Sequence, residues 1–392
     1  MKKIICIVLA MLLIMSAVVT GQVSAATNGA TIGAFDGFSS TSYILMDANS
    51  GKVLINFNES ERVPVASICK LMTSLLTLEA IERGDIGLDT VALASEHACA
   101  VEGSQAFLDA GSQYSVSDLL KSVVVASAND SAIVLAELLG GTEDAFVELM
   151  NQRAAELGMD NTHYTNATGL TTADQYSTAF DTCLILRSIN GYEVYQEYAK
   201  IWMDNLTHPS GRVTELVNTN RLVRYYPYCV DGKTGFTDEA GYCLSSVASK
   251  DGVKLIAVAL HCKDAASRFL EVKDLFNYGF ANYVNRVLLQ ASEYQDSVNV
   301  VGGNMSQMPV GITSDLVYLS DRTNNAECVV QYDIPASIKA PLSAGDVVGT
   351  ARAVQGGEVV VQTDIVALAD VSIHNLGDVL QKMFDNWTIQ IG

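Results

Sequence analysis

Three short motifs occur in a fixed order along this chain, and they constrain its fold more than any other feature. Ser67-Ile68-Cys69-Lys70 comes first, Ser127-Ala128-Asn129 follows, and Lys233-Thr234-Gly235 comes last. Each motif alone is weak, because a serine can simply bond to helix backbone and a Lys-Thr-Gly run can mark an ordinary turn. Together they indicate a serine nucleophile that uses lysine instead of histidine to handle protons.

The first motif supplies the candidate nucleophile and its base. Ser67 and Lys70 are one helical turn apart, so their side chains share a face and can touch. Lysine is normally protonated, but burial and a second nearby cation can lower its pKa towards neutrality. Lys233 is the candidate second cation if the third motif folds back beside the first. Ser127 is then placed to relay a proton from Lys70 to a leaving nitrogen.

The remaining motif residues are candidates for binding substrate. Asn129 is expected to hold Lys70 and a substrate amide. Lys233 and Thr234, on a strand, are expected to bind a substrate carboxylate, and Gly235 is expected to leave room for the substrate backbone against that strand.

The order of elements predicts one sheet built from both ends of a first domain, with helices between them and over them. Two apolar runs around Ala48-Asn49-Ser50-Gly51 predict a β-hairpin. Further elements are predicted as a helix after Pro64 that ends before Gly84, one or two helices over 116–139, a helix over 143–157, strands over 243–248 and 254–261, and a closing helix over 267–283.

The sequence pattern changes after residue 285. Short β-rich runs separated by Gly-Gly turns predict a small all-β domain over 286–373. Residues 374–392 can form an amphipathic helix, which either lies on a membrane surface or packs on the β domain. Both alternatives stay open, since Lys382 is the only basic residue of this segment.

The start of the chain predicts export. Lys2 and Lys3 precede an apolar run, and Val23-Ser24-Ala25 has the small-x-small form of a cleavage site, which makes residues 1–25 a predicted signal peptide. An uncleaved membrane anchor is the alternative. The net charge of −20 disfavours nucleic acid as a partner. We therefore expect an extracytoplasmic protein of the cell envelope or membrane surface.

Other catalytic signatures do not occur in the sequence. It has no G-x-S-x-G, H-E-x-x-H or P-loop motif, no C-x-x-C pair, and no ligand spacing among its five histidines. We predict neither a metal nor a cofactor, and we expect the seven cysteines after Cys6 to be small buried residues rather than a disulfide framework.

At these residues the chain resembles the serine-type D-alanyl-D-alanine carboxypeptidases, the low-molecular-weight penicillin-binding proteins of peptidase family S11. The similarity is closest to the sporulation-associated subgroup. It extends beyond the three motifs, to the segments 65–73, 102–108, 218–222, 230–237 and 344–349.

This resemblance implies a penicillin-binding-protein/β-lactamase-like transpeptidase fold of the α/β (α+β) class over residues 26–285. It implies that Ser67 attacks the penultimate D-alanine of a peptidoglycan stem pentapeptide, that the terminal D-alanine leaves, and that β-lactams acylate the same serine. It also implies an oxyanion hole from the backbone N–H groups of Ser67 and Phe236, and a role for Arg268 in binding the terminal carboxylate.

Three departures from the family pattern are present. Gly232 directly precedes Lys233, where the family usually has one more residue, and an extra residue around Tyr228-Cys229 can compensate. A slip of one residue on a strand would turn Lys233 to the other face. Ala128 replaces a common glycine, and Cys69 stands where many relatives carry threonine; it is either a packed residue or a reactive thiol.

Two other functions stay open at this stage. A serine β-lactamase would share the chemistry, but the segment around Glu148 has the wrong spacing for a class A deacylating glutamate. A wall-binding protein that has lost turnover is the other alternative, and the shortened approach to Lys233 is the feature that favours it.

Overall fold

The computed structural model describes residues 35–324, 326–373 and 377. The predicted signal peptide over 1–25 and the predicted helix over 374–392 therefore lie outside the described residues, apart from Gly377. Within the described ranges, no helix has the length and apolar character needed to cross a membrane.

A five-stranded antiparallel sheet forms the centre of the first domain. The strands of this domain are β1 (Ser42–Asp47), β2 (Val53–Phe57), β3 (Val91–Leu93), β4 (Gln113–Ser115), β5 (Met203–Thr207), β6 (Val213–Val217), β7 (Cys229–Thr237), β8 (Gly241–Lys250) and β9 (Val253–Cys262). The central sheet has the order β2-β1-β9-β8-β7, whereas β3-β4 and β5-β6 form separate two-stranded sheets. The strands from both ends of the domain thus share one sheet, as predicted, and β7 lies at its edge.

Helices cover both faces of this sheet. They are α1 (Lys70–Glu82), α2 (Glu96–Cys99), α3 (Val116–Ala126), α4 (Asn129–Gly140), α5 (Glu143–Glu156), α6 (Ala179–Ile189), α7 (Glu193–Ala199), α8 (Leu222–Tyr225) and α9 (Ala265–Asn282). Neighbouring residues of β1 point to opposite faces: Ile44 packs in the core that contains Leu75 of α1, and Leu45 packs in the core that contains Phe276 of α9. One core therefore lies under the helical half, and the second lies under α9.

The second domain is all β. Its strands are β10 (Tyr283–Leu289), β11 (Asp296–Val301), β12 (Gln307–Ile312), β13 (Leu316–Asp321), β14 (Cys328–Asp333), β15 (Ser337–Lys339), β16 (Val347–Gln355) and β17 (Glu358–Ala367). Six of them form a sheet in the order β14-β16-β17-β12-β11-β15, and β10 pairs with β13. Its core includes Met308, Ala351 and Ile365, each almost fully buried. The predicted fold class, a helix-covered antiparallel sheet followed by a small all-β domain, is confirmed.

Most predicted elements are present within a few residues of the expected bounds. The hairpin is β1-β2, the segment 116–139 is two helices, and the closing helix is α9. The prediction omitted the β5-β6 hairpin and helices α6 and α7. The sequence of β5, Met203-Asp204-Asn205-Leu206-Thr207, has too few apolar and β-branched residues to indicate a strand on its own.

The cysteines follow the prediction in part, because four of the seven are buried and Cys99, Cys229 and Cys328 are half-buried. The seven that the structure describes are all free, and Cys69, Cys183, Cys243 and Cys262 are buried. Among the described residues the first domain is therefore held together by packing and hydrogen bonds rather than by disulfides.

Candidate active site

The nucleophile lies in a short 3-10 turn, Ala66–Cys69, that leads directly into α1. Ala66 has a φ of +49°, a conformation that is uncommon for a residue with a side chain. Lys70 Nζ lies 2.9 Å from Ser67 Oγ, and the Lys70 side chain is completely buried. The structure thus brings Ser67 and Lys70 into contact, as their spacing predicts.

Burial changes the chemistry of Lys70. Removal from water disfavours its charged form and lowers the pKa of the amine to about 7, so that much of it is neutral near neutral pH. Its second hydrogen-bond partner is the carbonyl oxygen of Thr168, at 2.5 Å. A neutral amine held in this way has a lone pair with which it can take a proton from Ser67.

Asn129 was expected to hold Lys70, but among the described residues no hydrogen bond joins the two side chains. Asn129 Nδ2 donates to the carbonyl oxygen of Glu102 at 2.5 Å, and its backbone N–H donates to Ser104 at 2.7 Å. Asn129 is therefore bound to the loop that precedes the second motif, and Thr168 takes the position beside Lys70 that Asn129 was expected to fill.

Ser127 ends α3 in the left-handed region, with a φ of +60° and a ψ of +33°. Its hydroxyl accepts a hydrogen bond from Lys233 Nζ at 2.6 Å. A residue with a side chain is held in this conformation only where its surroundings enforce it, and such strain is concentrated at functional sites. The second and third motifs thus meet in the contact between Ser127 and Lys233.

The amine of Lys233 is also deeply buried. Burial, and then the charges of Lys70 and Arg268, hold its pKa well below the ordinary value. The charge of Lys70 therefore acts on Lys233. The expected converse effect is not observed, since Lys233 is not among the causes that shift the pKa of Lys70. For Lys70 itself, burial is the largest cause of the shift.

The register of β7 shows which face of the sheet Lys233 occupies despite the missing residue before it. The pairing of β7 with β8 shifts between Cys229 and Asp231, which is a β-bulge, and runs regularly from there. The bulge lies at the extra residue noted in the sequence. Lys233 consequently points into the cleft and is only 3% exposed.

Gly235 lies against the turn that carries the nucleophile. A Cβ atom at this position would overlap the carbonyl oxygen of Val65 and lie 3.4 Å from the backbone nitrogen of Ser67. The missing side chain therefore makes room for the nucleophile turn. The same contact brings the N–H of Ser67 beside the strand that carries Phe236, the two donors expected for the oxyanion hole.

The side chains around Gly235 continue the site along the edge of the sheet. Thr234 Oγ1 donates to Thr219 Oγ1 at 2.7 Å. The ring of Phe236 is half exposed and stacks on Tyr242, with ring centres 4.3 Å apart. Arg268, from α9, donates to the carbonyl oxygen of Gly235 at 3.0 Å.

Sequence reasoning missed the loop that supports Lys70. Asn166 Oδ1 accepts hydrogen bonds from the backbone N–H groups of Thr168 and Gly169, at 3.1 and 2.7 Å, and so fixes the turn that presents the Thr168 carbonyl. Gly169 has a φ of +83°, and a Cβ atom there would overlap the carbonyl oxygen of Ala66. The run Asn166-Ala167-Thr168-Gly169 is a turn signal, but nothing local in it indicates contact with a lysine 98 residues away.

A second loop was also missed. Asp130 accepts from the backbone N–H groups of Ala106 and Leu108, at 3.0 and 3.1 Å, and between them Phe107 is held at a φ of +59°. The carbonyl of Phe107 accepts a further hydrogen bond from Arg212. The exposed Phe107 ring is thereby set on the loop that also anchors Asn129.

Cys69 is a packed residue. Its side chain is 1% exposed, its thiol donates to the carbonyl of Asn166 at 3.3 Å, and burial raises its pKa to about 12. In the described ranges, no group of three or more His, Cys, Asp or Glu side chains is close enough to hold a metal ion.

Comparison with known proteins gives two family matches. Residues 29–264 match the family described as D-alanyl-D-alanine carboxypeptidase, and residues 283–372 match the C-terminal domain of penicillin-binding protein 5. The two matches follow one another along almost the whole described chain.

Individual relatives agree with these matches. The chain is 33% identical over 349 residues to D-alanyl-D-alanine carboxypeptidase DacF of Bacillus subtilis, covering 88% of this chain and 90% of the relative. It is 31% identical over 363 residues to DacA of Escherichia coli K12, covering 88% of each. Among solved structures, penicillin-binding protein 5 of Haemophilus influenzae is similar with a TM-score of 0.70 and 29% identity, covering 86% of this chain and 98% of that one.

Proposed function

The chain belongs to the D-alanyl-D-alanine carboxypeptidase family, and on that premise we propose that it removes the terminal D-alanine of peptidoglycan stem peptides with Ser67 as its nucleophile. The contact between Ser67 Oγ and the buried amine of Lys70, at 2.9 Å, is the observation that carries this assignment. A serine hydroxyl is a weak nucleophile at neutral pH and needs a base within hydrogen-bond reach.

Acylation begins when Ser67 Oγ attacks the carbonyl carbon of the penultimate D-alanine. The neutral amine of Lys70 takes the hydroxyl proton as the new C–O bond forms. Its pKa of about 7 suits this step, because general bases work best when their pKa is near the operating pH. The Thr168 carbonyl then stabilises the ammonium that results.

Collapse of the tetrahedral intermediate needs a proton on the leaving nitrogen. Ser127 supplies it: its hydroxyl, held by Lys233 at 2.6 Å, passes a proton to the D-alanine amine and regains one from Lys70. The terminal D-alanine leaves as the free amino acid. Water then attacks the ester on Ser67, with Lys70 again acting as the base.

The backbone N–H groups of Ser67 and Phe236 stabilise the negative charge on the substrate oxygen. The close packing of the Ser67 turn on β7 at Gly235 supports this role. Removing one donor of an oxyanion hole typically raises the barrier by roughly 3–4 kcal/mol.

Recognition of the substrate involves the edge of the sheet. Lys233, Thr234 and Arg268 bind the terminal carboxylate, and Asn129 faces the substrate amide. β-Lactams, which mimic the D-alanyl-D-alanine end, acylate Ser67 by the same steps.

The location of the enzyme follows from the roles that we propose for its two terminal segments. Residues 1–25 direct export, and the chain acts outside the cytoplasm on the cell wall. Residues 374–392, with their apolar stripe, are the candidate for peripheral contact with the membrane.

Release of D-alanine from diacetyl-Lys-D-Ala-D-Ala tests the proposal. We expect turnover by the wild type, none by Ser67→Ala, and unchanged turnover by Ser188→Ala, whose hydroxyl bonds only to a carbonyl of its own helix. D-Alanine release by Ser67→Ala would contradict the assignment. Rapid hydrolysis of penicillin without D-alanine release would indicate a β-lactamase, and binding of penicillin without either activity would indicate a wall-binding protein.

A further inference from the structure

A groove of about 740 Å³ lies beside the edge strand β7. The residues that line it come from the segment between α7 and α8, from the end of α8 and from the start of α9: Trp202, Val217, Asn218, Thr219, Arg221, Tyr225 and Arg268.

Two contacts join this groove to the Lys-Thr-Gly strand. Arg268 donates to the carbonyl oxygen of Gly235 at 3.0 Å, and Thr219 accepts from the hydroxyl of Thr234 at 2.7 Å. The groove therefore begins where the proposed function places the carboxylate end of the substrate, on the leaving-group side of the scissile bond.

The groove carries positive charge without a counterion. Arg221 and Arg268 both line it, and neither forms an ion pair with a carboxylate among the described residues. No Asp or Glu is among the lining residues. In a chain with a net charge of −20, two neighbouring arginines without a carboxylate partner are unexpected, because like charges repel and an anion bound between them would offset that repulsion.

The charge of Arg221 is close enough to act on Arg268. Burial lowers the pKa of Arg268, and the charge of Arg221 contributes in the same direction. One of the two charges suffices for the terminal carboxylate of a D-alanine leaving group. The second is free for another anion, and the groove offers more space than the methyl group of alanine needs.

A third arginine nearby provides a contrast. Arg224 lies on the rings of Trp202 and Tyr225, 5.2 and 5.7 Å from their centres. It is not among the residues that line the groove. Arg224 therefore has the same charge as Arg221 and lies near it in the sequence, but it does not line the groove.

We propose that this groove binds a second carboxylate, carried by the side chain of the residue that leaves, with Arg221 as the residue that determines this specificity. The enzyme then accepts a C-terminal D-residue that is larger than alanine and acidic. This inference rests on the proposed function, since it deepens the specificity of the same site.

Three peptides test it: diacetyl-Lys-D-Ala followed by D-Ala, D-Glu or D-Gln. D-Glu and D-Gln have nearly the same shape and differ in charge, so the ratio of their kcat/KM values isolates the second carboxylate. We expect the wild type to prefer D-Glu over D-Gln by about tenfold, as is typical of a charge-assisted hydrogen bond. Arg221→Gln should remove this preference and leave cleavage of the D-Ala peptide within about twofold of the wild type. Arg224→Gln should retain the preference.

The outcomes separate the two proposals. Cleavage of the D-Ala peptide without a preference for D-Glu over D-Gln, or a preference that survives in Arg221→Gln, would overturn the inference and leave the proposed function intact. Failure of the wild type to release D-alanine from the first peptide would overturn both. Equal loss of the preference in Arg224→Gln would show a general effect of surface charge and would also overturn the assignment to Arg221.

Discussion

The amine of Lys233 donates to the hydroxyl of Ser127 at 2.6 Å, although 106 residues separate them in the sequence. This contact joins the open edge of the sheet to the end of α3 and closes the site around Lys70. It depends on the β-bulge between Cys229 and Asp231, because without it Lys233 would face the other side of the sheet.

The state of Lys70 predicts the pH dependence of acylation. Only the neutral amine can take the proton of Ser67, and its pKa is about 7. The rate constant for acylation by penicillin should therefore rise about tenfold per pH unit below pH 7 and level off above it. Stopped-flow measurements from pH 5 to 9 check this, and a flat profile would rule out Lys70 as the base. Lys70→Arg, which stays charged throughout, should not acylate measurably.

Gly169 and Gly84 form a matched pair for testing the loop that supports the nucleophile. Their φ angles are +83° and +78°, but a Cβ atom meets Ala66 at the first position and nothing within 4 Å at the second. Gly84→Ala should cost about 1 kcal/mol of stability and leave acylation unchanged. Gly169→Ala should cost more and slow acylation at least tenfold. Urea unfolding and penicillin labelling measure the two effects, and equal acylation rates in the two variants would refute a supporting role for this contact.

The buried carboxyl of Asp231 predicts a pH-dependent stability. Burial raises its pKa to about 7, from an ordinary value of 3.8. Between about pH 4 and 7 the folded state holds a proton that the unfolded state has released, so the free energy of unfolding falls as the pH rises through this window. Asp231→Asn should remove this fall and be more stable than the wild type at pH 8 by at least about 1 kcal/mol.

The exposed Asp238 provides the control for that experiment, since Asp238→Asn leaves the buried Asp231 in place and should keep the fall in the free energy of unfolding seen in the wild type. Parallel unfolding curves for Asp231→Asn and wild type between pH 4 and 8 would show that Asp231 is ionised in the folded protein, contrary to the buried position in the structure.

Cys69 should be inert despite its place between nucleophile and base. Alkylation requires the thiolate, and burial raises the pKa of this thiol to about 12. Iodoacetamide at pH 8 should leave Cys69 unmodified in the native protein and leave penicillin labelling intact, while the half-buried Cys99 and Cys328 react first. Peptide mapping by mass spectrometry checks the sites. Early modification of Cys69 with loss of labelling would show that it is reactive.

The sequence predicts the parts of the site that depend on local spacing. The contact of Ser67 with Lys70 follows from one helical turn, and the outline of the sheet follows from apolar runs and turns. The position of Thr168 beside Lys70 does not, because it results from a loop fixed by the side chain of Asn166 across long sequence separations. Gly235 is a second example. The sequence indicates that something approaches the strand closely at this glycine, but only tertiary packing determines that it is the turn carrying Ser67.

Fluorescent penicillin followed by peptide mapping is the decisive test of Ser67 as the nucleophile of this carboxypeptidase. We expect one covalent adduct, on the peptide that contains Ser67, and no adduct in Ser67→Ala. An adduct on any other residue, or labelling that persists in Ser67→Ala, would contradict it.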